Sequence, residues 1–214
     1  MTIRLRLKSA ATFGRGDGVA GLIDREIEYD RNGFPYLKGK TLKGLMRESA
    51  ENIVYALENL QGQSGWEEVK EHLFGLPGRG RIEQGILHVG DACLPDILTQ
   101  ALLAERELRP EMFSSERILR SLTGIRWQTA MNPDGGPDHS TLRSMRVLLR
   151  GVTLEAALTF EVEPTDREKE FLVATIMDFR RAGTGRNRGR GWLQAELDDS
   201  ATTRQLFEQF AKAV

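Results

Sequence analysis

The sequence predicts an α+β protein with a ferredoxin-like (RRM-like) core in the order βαββαβ. Apolar and polar residues alternate in two segments, 2–9 and 152–162, which is the pattern of half-buried strands. Apolar residues recur at helical spacing after Thr41, and Thr165 and Glu168 have the spacing of a helix capping box. Many RNA-binding modules share this order of strands and helices.

The first strand and the first helix lie within the N-terminal 60 residues. In segment 2–9 the residues Ile3, Leu5 and Leu7 alternate with basic residues, so one face of this strand is buried and the other is basic. The turn-forming stretch NGFPYLKGK then leads into an amphipathic helix from Thr41 to about Leu60.

The other half of the core follows later in the chain. Residues 85–92 (GILHVGDA) predict strand two, and residues 152–162 predict strand three. The capping box opens a second helix over residues 165–182, and residues 192–197 (WLQAEL) predict strand four.

Two long excursions interrupt this core, a loop over residues 9–40 and an insertion over residues 93–150. Insertions of this length in a compact domain are usually functional or disordered. Within the second one, the turn formers NPDGGPD lie between GIRWQTA and STLRSMRVLLRG. This pattern predicts a projecting β-hairpin from about residue 123 to residue 150.

Composition indicates a soluble globular protein, which we take as a single domain over residues 1–214. The chain is 40% apolar and 29% charged, and its apolar runs are too short to span a membrane. Its first residues do not resemble a secretory signal, so we expect a cytoplasmic protein without a membrane partner. One cysteine, Cys93, excludes an internal disulfide, and three scattered histidines lack metal-ligand spacing.

The formal net charge of −1 conceals an uneven distribution of charge. Residues 1–50 and 164–191 carry more basic than acidic residues, whereas the balance in residues 51–120 is acidic. A protein with this distribution can hold a polyanion on one side and other proteins elsewhere.

Two segments have the residue types of a phosphate-binding site. In GTGRNRGRGW, residues 183–192, glycines allow close approach of the backbone and arginines supply forked donors for phosphate oxygens. In LKGKTLKGLMR, lysines surround a helix N-terminus, where free amides and the helix dipole attract anions. The candidate RNA-binding residues are Lys38, Lys40, Lys43, Arg47, Gly183, Gly185, Arg186, Arg188, Gly189 and Arg190.

The pairing of these two segments resembles the RAMP superfamily of CRISPR-associated proteins, and specifically the backbone subunits of type III effector complexes. The helix motif of that family is matched from Pro35 to Arg47, and its glycine-rich loop is matched from Gly183 to Gly191. The resemblance extends over most of the chain, including FGLPGRGRIEQGILHVGDACL and LLRGVTLEAALTFEV.

This resemblance implies a subunit that polymerises along a CRISPR RNA with copies of itself and with other RAMP subunits, and that meets a target single-stranded RNA. It places Lys43 and Arg47 at guide-contacting positions. It also makes the hairpin a thumb that interrupts guide–target pairing, with Trp127, Met131 and Met145 as apolar thumb residues.

The resemblance further implies a cleavage site in the loop after strand one. Gly21-Leu22-Ile23-Asp24 matches the family's cleavage loop, so Asp24 is the candidate catalytic residue and metal ligand. A carboxylate there can hold Mg²⁺ or another divalent metal, or orient the ribose 2′-hydroxyl for attack on the phosphate. Asp17 and Asp30 lie in the same loop as possible helpers. Arg25 and Glu26 depart from the small residues or proline that the family often has after its aspartate.

The preferred hypothesis is therefore a metal-dependent endoribonuclease subunit of such a complex, and two alternatives remain open. The chain can be a non-catalytic subunit that only binds the guide RNA. It can also be a standalone endonuclease that processes the CRISPR transcript, although such enzymes usually rely on a histidine near strand one or helix one. Here the first histidine is His72.

Overall fold

The computed structural model describes residues 1–19, 23–76, 85–130, 136 and 141–214. The strands in these ranges are β1 (Thr2–Leu7), β2 (Leu87–Val89), β3 (Thr123–Gln128), β4 (Arg143–Leu148), β5 (Thr153–Phe160) and β6 (Leu193–Leu197). The α-helices are α1 (Gly39–Val54), α2 (Trp66–Phe74), α3 (Asp96–Leu108), α4 (Ser115–Leu122), α5 (Asp166–Asp178) and α6 (Ser200–Ala213). The prediction of an α+β fold is confirmed, and the strand pairs in the described residues are antiparallel.

Four strands form the main sheet in the order β2-β5-β1-β6, and every neighbouring pair is antiparallel. They correspond to the four predicted core strands, although β2 is shorter than predicted. In the central strand β1, Leu5 lies opposite Leu154 of β5 and Ala195 of β6. Because alternate strand residues point to opposite faces, Ile3 and Leu7 are buried together with Leu5.

The core lies between this buried face and the helices. The side chains of α5 at positions 171 to 176 are all buried, as a helix enclosed by other elements requires. An aromatic cluster joins three helices: the ring of Trp66 in α2 lies 5.7 Å from Phe171 in α5 and 5.4 Å from Phe210 in α6. The C-terminal helix therefore closes one end of the core.

The helices differ from the sequence-based prediction in their bounds and number. Helix α1 begins at Gly39, two residues before Thr41, and continues as a π-helical segment over Tyr55–Leu60. Helix α5 ends at Asp178, well before residue 182, because Phe179 adopts a ψ of 94°. Helices α2, α3, α4 and α6 were not predicted. None of the helices in the described ranges is long and apolar enough to cross a membrane.

A second, two-stranded sheet lies within the predicted insertion. β3 pairs with β4 from Thr123 opposite Leu148 to Gln128 opposite Arg143. The loop after β1 packs along β4, with bridges from Ala11 to Leu148 and from Arg25 to Met145. Most of the predicted hairpin tip, residues 131–135 and 137–140, lies outside the described residues.

Candidate nucleic-acid interface

The glycine-arginine loop has a backbone that only glycine permits at several positions. Gly183 and Gly191 have φ values of +88° and +67°, and a Cβ atom would lie 2.5 Å from Thr12 O and 1.8 Å from Ala182 O, respectively. Substitution of Gly183 would therefore displace the loop from the segment after β1, and substitution of Gly191 would separate the two ends of the loop. Gly185 and Gly189, also at positive φ, flank a single 3₁₀ turn over Arg186–Arg188.

This loop forms one wall of a groove of about 650 Å³. The end of the β3–β4 sheet nearer the hairpin tip, around Gln128 and Arg143, and Arg25 form the opposite side. The arginines that line the groove are Arg25, Arg143, Arg186, Arg188 and Arg190, and no Asp or Glu occurs among its described lining residues. A concave surface lined by cations without acids raises the local concentration of anions.

Arg190 lines this groove and is only 5% exposed. Its guanidinium donates to Met145 Sδ and occupies the space beside Gly185, where a Cβ would lie 2.5 Å from Nη2. Burial lowers the pKa of Arg190, and the nearby charges of Arg126, Arg188 and Arg25 add to this effect.

Arg190 forms no ion pair with a carboxylate in the described part of the chain. A buried guanidinium surrounded by like charges is costly unless an anion neutralises it. The electrostatics of the groove therefore favour the approach of an anion.

Arg186 connects the same loop to helix α1. Its two terminal nitrogens each lie 2.8 Å from a carboxylate oxygen of Glu48. On the α1 side, the loop also borders a second cleft of about 460 Å³, to which Lys38 and Thr41 contribute. The structure thus brings together the two segments that the sequence identified as phosphate-binding.

The predicted cations of α1 are mostly engaged within the protein. Lys38 lies 2.5 Å from Glu28, and Arg47 lies 3.2 Å from Glu51 one turn further along the helix. The Lys43 ammonium is half-buried and donates to Leu87 O at 2.7 Å. Its pKa is lowered by burial and by the charge of Arg47.

Lys40 is exposed at the start of the helix. Of the cations predicted from the sequence, Lys38, Arg47 and Arg186 each contact a carboxylate. Arg188 and Lys40 are exposed, and Arg190 is buried without a carboxylate partner in the described residues.

Asp24 is exposed on the segment that packs along β4. Its carboxylate oxygen Oδ2 accepts hydrogen bonds from the Ser144 amide at 2.6 Å and from the Ser144 hydroxyl at 3.1 Å. These two bonds, in that order, lower the pKa of Asp24, and the nearby charge of Arg143 adds to the effect. The carboxylate is consequently ionised at neutral pH and fixed relative to β4.

A buried ion pair two residues further on anchors the same segment. Glu26 is 1% exposed, and its Oε1 accepts a hydrogen bond from Arg146 Nε at 2.7 Å. Arg146 also donates to Thr123 on β3 at 3.3 Å. Glu26, one of the two residues that depart from the family pattern, thus fixes the Asp24 segment to both strands of the small sheet.

The other two aspartates of the loop have structural contacts. Asp30 accepts hydrogen bonds from the amides of Asn32 and Phe34 and so caps a turn. Asp17 pairs with Arg15 at 2.5 Å. Neither contact supports a role as a catalytic helper.

The donor set around Asp24 restricts how a metal ion could be held. Within the described residues, no three His, Cys, Asp or Glu side chains form a metal-binding cluster. Mg²⁺ commonly uses one or two protein carboxylates together with substrate phosphates and water. Asp24 fits this mode, in which RNA would supply most of the ligands.

The predicted thumb residues fall into different environments. Trp127 is 62% exposed on β3, opposite Ser144, whereas Met145 is 3% exposed and lies against Arg190. Met131 lies outside the described residues. A wedge between bases needs an exposed side chain, so Trp127 suits that role and the buried Met145 does not.

Sequence reasoning did not identify Arg25, Arg143, Glu26 or Ser144 as parts of this site. The arginine-rich strand STLRSMRVLLRG was a usable signal for Arg143, because a strand with repeated arginines next to a predicted turn suits phosphate binding. Glu26 carried no such signal, since its role depends on an ion pair across 120 residues of sequence.

Comparisons with known proteins agree with this architecture. A family model described as the RAMP superfamily matches residues 4–194. A search of curated protein sequences gave no significant match.

Two solved structures share the fold across nearly the whole chain. One is a chain of the type III-B Cmr-beta complex bound to cognate target RNA, with a TM-score of 0.64, 10% identity, and coverage of 96% of this chain and 98% of that chain. The other is from the apo state of type III-B Cmr-beta, with a TM-score of 0.62, 11% identity, and coverage of 93% and 97%.

Proposed function

Since this chain belongs to the RAMP superfamily, we propose that it is a backbone subunit of a type III CRISPR ribonucleoprotein that binds CRISPR RNA and cleaves the paired target RNA. Its partners would be the two RNAs, copies of itself and other RAMP subunits. The complexes in which the similar folds occur are type III-B Cmr-beta assemblies, one of them bound to target RNA. Such a complex would act in the cytoplasm and needs no membrane partner.

The observation that carries this proposal is the arginine groove around Arg190. A buried guanidinium without a carboxylate partner, next to Arg25, Arg143 and Arg188, favours a ligand with several negative charges in a row. An RNA backbone has this property, and the open groove lets it pass through. Arginine contacts to phosphate do not depend on base sequence, which suits a subunit that must accept any guide sequence.

The sheet supports the finer assignment of the fold. The order β2-β5-β1-β6 with antiparallel neighbours is the order expected of a ferredoxin-like βαββαβ core, with β3 and β4 inserted between its second and third strands. We assign the inserted β3–β4 hairpin as the thumb. Its exposed Trp127 is suited to part stacked bases, as apolar wedges do in other nucleic-acid complexes.

We assign cleavage to Asp24. The hydrogen bonds from Ser144 keep its pKa below the ordinary value, so Asp24 is a weak base and acts as an ionised carboxylate. In that form it accepts a hydrogen bond from the attacking 2′-hydroxyl and holds that oxygen in line with the phosphate. Arg25, the next residue in the chain, and Arg143, whose charge acts on Asp24, both line the groove and would offset the charge that develops on the phosphate oxygens.

Asp24 would hold Mg²⁺ together with oxygens of the RNA. The bound ion would supply further neutralisation of the scissile phosphate.

The test is target-RNA cleavage by the complex reconstituted with guide RNA, in magnesium and in chelator. Asp24→Asn keeps the size of the side chain but removes its charge, and cleavage opposite this subunit should fall by at least about a hundredfold. Guide and target binding should be unchanged, because Asp24 is exposed and removing a negative charge does not weaken contacts to phosphate. Asp30→Asn, which alters a turn cap, is the matched control.

The second candidate function is a guide-binding subunit without catalytic activity. The observation in its favour is that Asp24 is not part of a cluster of metal-binding side chains in the described ranges. A wild-type complex that binds target RNA tightly and leaves it intact would establish this alternative. Processing of the CRISPR transcript by the isolated chain would favour the standalone endonuclease, which the sequence supports least.

A further inference from the structure

Strand β6 forms one edge of the main sheet and pairs with β1 on its inner side. The bonds from Lys8 N to Trp192 O and from Asp198 N to Thr2 O fix which residues face β1. Because the pattern alternates along an antiparallel ladder, Leu193, Ala195 and Leu197 direct their backbone groups to the outer edge.

The two ends of this outer edge are already paired. Leu193 N donates to Arg180 O at 2.9 Å. At the other end, the Thr203 hydroxyl accepts from Leu197 N and donates to Leu197 O, both at 2.9 Å. Between them, neither the N–H nor the C=O of Ala195 has a hydrogen-bond partner among the described residues. Such backbone groups are normally paired when a residue is as buried as Ala195.

Ala195 opens onto a groove of about 540 Å³ between β6 and the helices α5 and α6. Met177 and Phe207 provide partly buried apolar surface, and Trp192 at one end is 55% exposed. This lining can cover one or two apolar side chains of a ligand.

The charged residues around the groove are mainly basic. They are Lys8, Arg180 and Arg204, together with a single acid, Glu196. Glu196 is already engaged, because it accepts hydrogen bonds from Gln194 at 2.6 Å and from Ser200 at 2.9 Å. A ligand with carboxylates beside its apolar groups therefore complements the groove.

We infer that this edge binds an extended acidic peptide segment of another polypeptide, with one of its residues paired to both backbone groups of Ala195. A peptide backbone offers a donor and an acceptor at matching spacing, whereas an RNA phosphate has no donor for the carbonyl. Since both flanking positions are paired, the contact is limited to a single residue pair plus the side chains on either side. This site stands apart from the proposed RNA groove and does not depend on it.

The test uses amide hydrogen exchange of the full chain, followed by NMR. In the free protein, the Ala195 amide should exchange faster than those of Leu193 and Leu197, which have acceptors. A capped peptide of alternating valine and glutamate should slow exchange at Ala195 by about tenfold and leave Thr184 in the glycine-arginine loop unchanged. The same peptide with lysine in place of glutamate should have no effect.

The double variant Arg180→Glu/Arg204→Glu should abolish protection by the acidic peptide without removing any backbone hydrogen bond of β6. Arg117→Glu, on α4 outside the groove, is the matched control and should retain it. The inference is overturned if the acidic peptide leaves Ala195 unprotected, if the double variant is protected like the wild type, or if single-stranded RNA protects Ala195 and the peptide does not.

Discussion

The arginine groove and the start of helix α1 are both rich in cations, yet their charges are balanced in different ways. On the helix side, Lys38 and Arg47 each contact a carboxylate, and Arg186 joins them through Glu48. In the groove, Arg188 and Arg190 have no such partner in the described residues. The two segments are similarly rich in cations, but they differ in how many of those cations lack a carboxylate partner and can bind a polyanion.

The difference shows that cation pairing, rather than cation number, identifies a binding surface. A cation that is paired with a carboxylate must give up that partner to bind phosphate, so the net gain in binding free energy is small. A cation without a partner loses only hydration when phosphate arrives. We therefore expect the groove to dominate RNA affinity and the helix side to position the loop.

The largest expected effect comes from removing three groove arginines together. Replacing Arg25, Arg143 and Arg188 together by alanine should reduce the slope of log affinity against log salt concentration by about 2 for single-stranded RNA. Each phosphate contact contributes about 0.7 to that slope. All RNA sequences should be weakened alike. The measurement is a series of binding titrations at increasing salt concentration.

The matched triple variant replaces three paired cations by alanine: Lys38, Arg47 and Arg186, the last of which lines the groove but is held by Glu48. Because these cations are paired with carboxylates, the slope should change by less than about one unit. If the helix-side variant flattens the slope as much as the groove variant does, pairing does not distinguish the two regions.

Replacing Arg190 is expected to change the stability of the RNA-free protein and its affinity for RNA in opposite directions. Arg190→Met should stabilise the RNA-free protein by about 1 kcal/mol, because it removes a buried charge that lacks a carboxylate partner. The same change should weaken RNA binding by about tenfold, because a charge-assisted contact to phosphate is lost. Urea denaturation and RNA titration measure the two effects.

The control for this experiment is Arg181→Met, which alters an exposed arginine outside the groove lining. It should change neither quantity appreciably. A loss of stability in Arg190→Met would mean that the guanidinium is satisfied within the folded protein, and the groove would then resemble the helix side.

The smallest expected effect comes from releasing a paired cation. Glu48→Gln removes the charge that holds Arg186, so RNA affinity should rise about two- to threefold while stability changes by less than about 1 kcal/mol, as for other surface ion pairs. The change should be detected in the same titrations at low salt. Glu116→Gln, which releases Arg120 on α4, is the matched control and should leave RNA affinity unchanged.

The parts of the fold that the sequence predicted are those specified by local patterns. The alternation of Ile3, Leu5 and Leu7 defined β1 and its buried face, and the Thr165–Glu168 capping box defined the start of α5 to within a residue. Helices α2, α3, α4 and α6 were missed, because residues 93–122 were taken as part of an insertion and no element was assigned to residues 66–74 or after residue 197. Helix α6 nevertheless has a local start signal, since the Asp199 side chain accepts from the amides of Ala201 and Thr202, whereas α3 has no side-chain cap and no buried residue.

The candidate site was predictable only in its residue types. Arg190 could be named from the glycine-arginine loop, but its burial depends on the gap at Gly185 and on Met145, which is 45 residues away. Likewise Asp24 was named from a resemblance, whereas its low pKa comes from Ser144 across the fold. Charge state and pairing are tertiary properties, and a sequence pattern does not contain them.

The attachment of the Asp24 segment to β4 has a mechanical consequence. Three links join them: the bridge from Arg25 to Met145, the hydrogen bonds from Ser144, and the buried pair of Glu26 with Arg146. The Asp24 carboxylate is therefore positioned by the two-stranded sheet, which contacts the rest of the fold at the bridge between Ala11 and Leu148 and through Met145 and Arg190. A change in the orientation of this small sheet would therefore reorient the Asp24 carboxylate with it.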